Sequence, residues 1–230
     1  MAILIAFAGC GRVGFDDMQA DAGAVSSADG ARRTYLFEDG FEGTLAPWNP
    51  LNNAVVDSGP PAPIEGAGVL RAQAAPATSA RAEVMLPRSV GPGADLFVRG
   101  YFYLPSGFSI TDLSLLEIVQ PGTENLVVIT SPELGLFTTI DNMGGASSYV
   151  PPRDVWLCIE TRIRIADAPI GAVEISVDGV LQFQTSGIDT FAGGINKLTT
   201  GVTWAGAAQP DSVVYVDDVI ADDVERIGCR

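Results

Sequence analysis

Histidine is absent from all 230 residues. No mechanism that relies on imidazole as base, proton shuttle or metal ligand can therefore run on this chain's own side chains. Positive charge is scarce: 13 Lys and Arg face 28 Asp and Glu, a formal net charge of −15. Such a balance repels polyphosphate and anionic bilayer surfaces, so nucleic acid is not an expected partner. After the first ten residues no segment approaches the roughly 20 consecutive apolar residues that a membrane-spanning helix needs. Catalytic signatures are missing as well. There is no Gly-x-Ser-x-Gly elbow, no phosphate-cradling Gly loop followed by a helical pattern, no Cys-x-x-Cys pair and no zinc-ligand set.

What is present is apolar and turn-rich: 47% hydrophobic residues with 26 Gly and 15 Pro. Short Val, Ile, Thr and aromatic runs punctuated by Gly, Pro, Asn and Asp read as strands. They are expected at 54–56, 68–72, 80–85, 97–104, 114–119, 126–130, 134–141, 156–165, 173–177, 180–185, 198–204 and 213–221. That number and spacing predict an all-β, antiparallel β-sandwich of the jelly-roll kind. Asp178-Gly179 between Val177 and Val180 predicts a tight hairpin, because both central residues of such a turn take positive φ. Single helical turns are expected at Ile110–Asp112 and Asp189–Phe191, and Gly144-Gly145 reads as a turn.

The N-terminus has a separate organisation. Residues 2–9 form a short apolar run ending in Phe7-Ala8-Gly9-Cys10, which resembles a bacterial lipobox. That resemblance implies a signal over 1–10, acylation of Cys10, a flexible linker over 11–34 and a folded domain over 35–230. The competing readings are a buried apolar strand or an ordinary secretory signal. No basic segment precedes the apolar run, which implies a start upstream of Met1. Gly11 stands where Asp would resemble an inner-membrane retention signal, so the expected place is the bacterial cell envelope, lipid-anchored in the outer membrane. The only expected membrane contact is through that anchor. Lipidation of Cys10 leaves Cys158 and Cys229, either as a disulfide closing the C-terminal end onto a central strand or as two free thiols.

Alternation assigns faces. Along 156–165, Leu157, Ile159, Ile163 and Ile165 share one side, and Glu160, Arg162 and Arg164 the other. Along 97–104, Arg99, Tyr101 and Tyr103 fall together, opposite Val98, Phe102 and Leu104. Arg81 and Glu83 share a face of the 80–85 strand. If one sheet holds these strands, its Arg/Glu/Tyr surface suits sugar hydroxyls and pyranose faces. The same residues could equally form a solvated outer face laced with ion pairs.

Val214-Tyr215-Val216-Asp217-Asp218-Val219-Ile220-Ala221, followed by Glu225-Arg226-Ile227-Gly228, resembles the last strand of concanavalin A-like lectin/glucanase jelly rolls, in particular the laminin-G-like and polysaccharide-lyase-like branches. Leu36-Phe37-Glu38-Asp39-Gly40-Phe41-Glu42-Gly43 with Trp48 looks like the family's opening strand, and the Trp156 strand with the Asp178-Gly179 hairpin like its central pair. The resemblance implies a structural Ca2+ held between first and last strands by Glu38 or Asp39 and Asp217 or Asp218. Alternatively, the acid pair divides between solvent and turn amides. Retaining glucanases of this family carry Glu-x-Asp-x-x-Glu, which is absent. Lyases of this fold show Arg-x-Glu, Gln-Ile-His and Tyr-Phe-Lys strands. Arg81-Ala82-Glu83 looks like the first, Glu117-Ile118-Val119 replaces both key residues of the second, and the third is not visible. The expected function is non-catalytic, lectin-like binding of a glycan or polysaccharide. The alternatives are a structural or protein-interaction envelope protein and a polysaccharide lyase.

Overall fold

The computed structural model describes residues 33–120, 125–131, 135–140, 143–190 and 193–230, with side chains described outside 121–146. The expected lipidation at Cys10 and the linker up to residue 32 lie outside the described residues. One compact unit spans Thr34–Arg230.

All regular structure among the described residues is strand. In chain order the strands are β1 (Phe37–Asp39), β2 (Asn49–Leu51), β3 (Ala54–Asp57), β4 (Val69–Ala74), β5 (Ala80–Val90), β6 (Asp95–Tyr103), β7 (Leu113–Val119), β8 (Asn125–Ser131), β9 (Gly135–Ile140) and β10 (Met143–Ala146). They continue as β11 (Trp156–Arg164), β12 (Ala166–Val177), β13 (Val180–Thr190), β14 (Ile195–Ala205) and β15 (Ser212–Asp222). The first sheet runs β13-β12-β11-β6-β15-β4-β3, with β1 also on β15; the second runs β10-β9-β8-β7-β14-β5-β2. Neighbours throughout are antiparallel, as in a jelly-roll sandwich.

The core forms where alternate residues of the two sheets meet. Leu70, Ala72, Val98, Phe102, Leu157, Ile159, Val173, Ile175, Val214 and Val216 of the first sheet are buried. So are Ala82, Val84, Leu116, Ile118, Leu198 and Val202 of the second. The β12–β13 hairpin turns at Asp178 and Gly179, with φ of 49° and 78°, and pairs Val177 with Val180. Both positive values belong to the tight turn that twists with its strands. β14 contains Gly201 at φ +109°, where an added Cβ would lie 2.8 Å from the Ala80 carbonyl oxygen. Only glycine accommodates that approach.

Three local expectations are corrected. Gly144-Gly145 is not a turn but part of β10, opposite Thr139 and Thr138 of β9. Ile110–Asp112 makes no helical turn, because Gln209 reaches into this loop and its Oε1 accepts from the amides of Thr111 and Asp112. Asp189 belongs to the end of β13, and Phe191 lies outside the described residues.

Cys158 in β11 and Cys229 are joined, with S–S 2.06 Å and 71 residues of separation. Closing a loop of this length removes denatured-state entropy worth about 4 kcal/mol in the chain-entropy model. A Cys158→Ala/Cys229→Ala double variant is expected to lose roughly that much in urea unfolding. A loss below about 1 kcal/mol would show that the cross-link does little for stability.

Candidate functional site

Each sheet has one core face and one outer face, and the two outer faces differ. On the first sheet, β6 and β11 lie side by side, pairing Arg99 with Glu160, Tyr101 with Cys158 and Tyr103 with Trp156. The six expected ligand residues of these strands therefore share a sheet. They do not form one open surface, because the C-terminal segment after β15 lies across half of them. Glu160, 4% exposed, accepts the amides of Ile227 and Gly228 at 2.9 and 2.7 Å and pairs with Arg226 at 2.8 Å. The Tyr101 hydroxyl accepts the Arg230 amide at 2.7 Å, and Arg99 donates to the Gly228 carbonyl at 3.1 Å. Arg162 bridges Asp95 and Glu174 at 3.1 and 2.9 Å, and Arg164 lies 4.0 Å from Asp95. The chain's own groups thus occupy Arg99, Tyr101, Glu160 and Arg162.

The acid pair of β15 faces the same side. Asp217, opposite Tyr101, is turned outward by parity, and the register slip between Asp217 and Ile220, with Asp218 at φ 48°, brings Asp218 to the same side. Asp217 accepts from the amides of Ile64, Glu65 and Asp218 at 2.7, 3.2 and 2.7 Å. Burial nevertheless pushes its pKa up to about 6 against those three donors. Asp218 forms a fully buried ion pair with Arg99 at 2.5 Å. Burial raises its carboxyl, and Arg99 and Arg230 pull it back down. Asp39 accepts the Phe41 amide at 2.6 Å, and Glu38 lies 3.8 Å from Arg230. The donors calcium would need are therefore engaged by amides and guanidinium groups. No cluster of three or more metal-ligating side chains gathers among the described residues. Glu38, Asp39, Asp217 and Asp218 do not make a set that fits the ion.

Arg81 and Glu83 are not beside this face. They belong to β5 in the second sheet, with Thr199 of β14 opposite Glu83 on one side and Glu117 of β7 beyond it. Their side chains alternate with core Ala80, Ala82 and Val84, so parity turns them outward. Arg81 pairs with Glu83 at 3.2 Å and donates to the Thr203 carbonyl at 3.2 Å; Lys197 lies 3.8 Å from Glu83. Glu117 completes the cluster. Burial lifts its pKa above the ordinary carboxylate range, opposed by the charges of Arg81 and Lys197 and reinforced by Glu83. The hydroxyl of fully buried Thr199 and the Nε of Arg81 lack partners. Lys197 and Thr199 were not singled out from sequence. The alternation of Lys197-Leu198-Thr199 carries that signal, but the expected strand begins at Leu198, three residues after the start of β14 at Ile195, and leaves Lys197 out.

No family model matches the chain, and no curated protein matches it. Solved structures do. An endo-β-1,4-glucuronan lyase from the fungus Trichoderma reesei superposes with a TM-score of 0.64 at 14% identity, over 83% of this chain and 96% of that one. The shared feature is the fold. An alginate lyase from a Chlorella virus follows at TM-score 0.56 and 12% identity, over 76% and 93% of the two chains. The globular domain of T. cruzi calreticulin gives 0.58 and 11%, over 84% and 89%. The jelly-roll sandwich is thus a fold this chain shares with them, and activity does not follow from it.

Removing one cation tests the electrostatics of the second-sheet cluster. In Arg81→Met, the Glu117 carboxyl should titrate at higher pH than in the parent, read by carbon NMR of that side chain. A downward move would mean that Arg81 does not act on Glu117.

Proposed function

We propose that this chain is a non-catalytic carbohydrate-binding jelly roll that holds an uncharged, hydroxyl-rich glycan on the outer face of its second sheet. The observation that carries this reading is the charge-balanced cluster of Arg81, Glu83, Glu117 and Lys197 on three adjacent strands. A sugar hydroxyl both donates and accepts, and guanidinium, ammonium and carboxylate groups side by side serve both roles through charge-assisted hydrogen bonds. Met85 and Trp204, 59% and 47% exposed on β5 and β14, add apolar surface for pyranose C–H groups.

The same balance argues against uronate chemistry. Glu83 and Glu117 offset Arg81 and Lys197, so no surplus positive charge remains to hold a sugar carboxylate, and the chain as a whole carries −15. β5, β7 and β14 contain neither Tyr nor His. Elimination from a uronate needs a group that removes a proton from a sugar carbon, and these strands offer no such side chain beyond Lys197 and the carboxylates. Support for a carbohydrate ligand also comes from the fold shared with lyases that are named for polysaccharides.

A screen of neutral and acidic oligosaccharides tests this. Arg81→Ala/Lys197→Ala should weaken neutral-glycan binding roughly tenfold or more, as expected when hydrogen bonds to charged groups are lost. Wild-type affinity should change little with salt. Binding confined to polyuronates, steeply salt-dependent and accompanied by rising absorbance from unsaturated ends, would replace this reading with the lyase one.

The resemblance of Phe7-Ala8-Gly9-Cys10 to a lipobox supports display of the domain from a lipid anchor at the cell envelope. Metabolic labelling with a fatty-acid analogue should mark the full-length chain and not its Cys10→Ser variant. Equal labelling of the two would remove the anchor.

A further inference from the structure

The first sheet carries a feature that the proposed site does not use. Trp156 of β11 pairs with Tyr103 of β6, Tyr103 with Tyr215 of β15, and Tyr215 with Arg71 of β4. Directly paired residues point to the same side, so these four form one row across four strands on the outer face. The C-terminal segment covers Arg99, Tyr101 and Glu160 but leaves the row half-exposed. Ring centroids lie 5.6 Å apart for Trp156–Tyr103 and 6.1 Å apart for Tyr103–Tyr215, with interplanar angles of 62° and 78°. Edge-to-face contact leaves ring faces that no neighbour in the row uses.

Polar groups border the rings. Trp156 Nε1 donates to the Ala62 carbonyl at 2.8 Å, which fixes the indole. Asp154 accepts the Ser106 amide at 2.8 Å and lowers its own pKa chiefly through Ser106, with Tyr103 a smaller contributor. At the other end Arg71 donates to Gln73 and lies 4.0 Å from Asp57.

We propose that this row is a second ligand surface, which stacks an uncharged, extended β-linked oligosaccharide along Trp156, Tyr103 and Tyr215. The ring centroids, 5.6 and 6.1 Å apart, recur at a spacing near the advance per sugar of an extended β-1,4-linked pyranose chain. Successive sugars can therefore meet successive rings, while a coiled α-1,4-linked chain cannot follow a straight row. Arg71, Asp57 and Asp154 supply donors and acceptors for hydroxyls. The carboxylates on both flanks and the acidic chain repel polyanions.

The test uses the full chain with cellohexaose, xylohexaose and mannohexaose, and maltohexaose as the coiled control, read by calorimetry and tryptophan fluorescence. At least one β-1,4-linked probe should bind, and more tightly than maltohexaose. Trp156→Ala and Tyr215→Ala should each weaken it about tenfold, and Trp156→Phe should stay within a few-fold. Unchanged thermal unfolding of Trp156→Phe shows that the fold is intact. The row's share of this binding is the part that Arg81→Ala/Lys197→Ala, on the other sheet, retains and Trp156→Ala loses. No binding of any β-1,4-linked probe at millimolar concentration, or equal binding by Trp156→Ala and the parent, overturns the row as a site. Loss of all binding in the Arg81/Lys197 variant alone would overturn the row and leave the second-sheet reading standing. The reverse pattern would do the opposite.

Discussion

Parity governs this molecule. In a two-layer sandwich every strand has one side pressed into the core, so a residue's place in an alternating run decides whether it packs or works. Leu198 and Val202 go inward while Lys197 and Thr199 go outward. On β6, Val98 and Phe102 go inward while Arg99, Tyr101 and Tyr103 go outward. A slip of one residue would exchange the aliphatic and charged sets, at a cost in burial and desolvation that no local preference offsets.

Where the pattern is locally broken, the break has a use. The irregularity after Asp217 keeps Asp218 off the core side to neutralise Arg99, while Asp217, outward by parity, receives the loop before β4. A buried pair of that kind is poor evidence of net stabilisation, but losing either member would strand the other's charge at a cost of several kcal/mol. Arg99 therefore reads as an organiser of the chain's own end. Glu160 has the same character: its two oxygens serve two successive amides and a guanidinium of the terminal segment. Much of the first sheet's outer face is thus a recognition surface whose partner is covalently attached.

Most strands were legible in the sequence because Val, Ile and aromatic runs bounded by Gly and Pro have few other uses. The Asp178-Gly179 turn was legible for the same reason. Sheet membership was not. Arg81 and Arg99 have the same alternating surroundings, and only long-range pairing puts them on opposite layers. β10 was hidden because Gly144-Gly145 lacks strand-forming side chains and is ordered by its partner β9. The cover over Glu160 was hidden because a terminal Arg-Ile-Gly-Cys-Arg has no periodicity, although Cys229 did leave a disulfide open as one alternative. Glu117 is a single carboxylate in an apolar run, and its neighbours Lys197 and Arg81 come from strands far away in sequence.

The position of β15 has a consequence for how the molecule is made. Of the described strands, β15 is synthesised after all the others and lies in the interior of the first sheet, hydrogen-bonded to β6 on one edge and to β4 and β1 on the other. Until it emerges, β6 and β4 have no common neighbour, and their apolar sides wait uncovered. A nascent chain of this topology cannot mature strand by strand from its front end. It must close late and all at once, which favours slow folding and a need for protection from aggregation during translation.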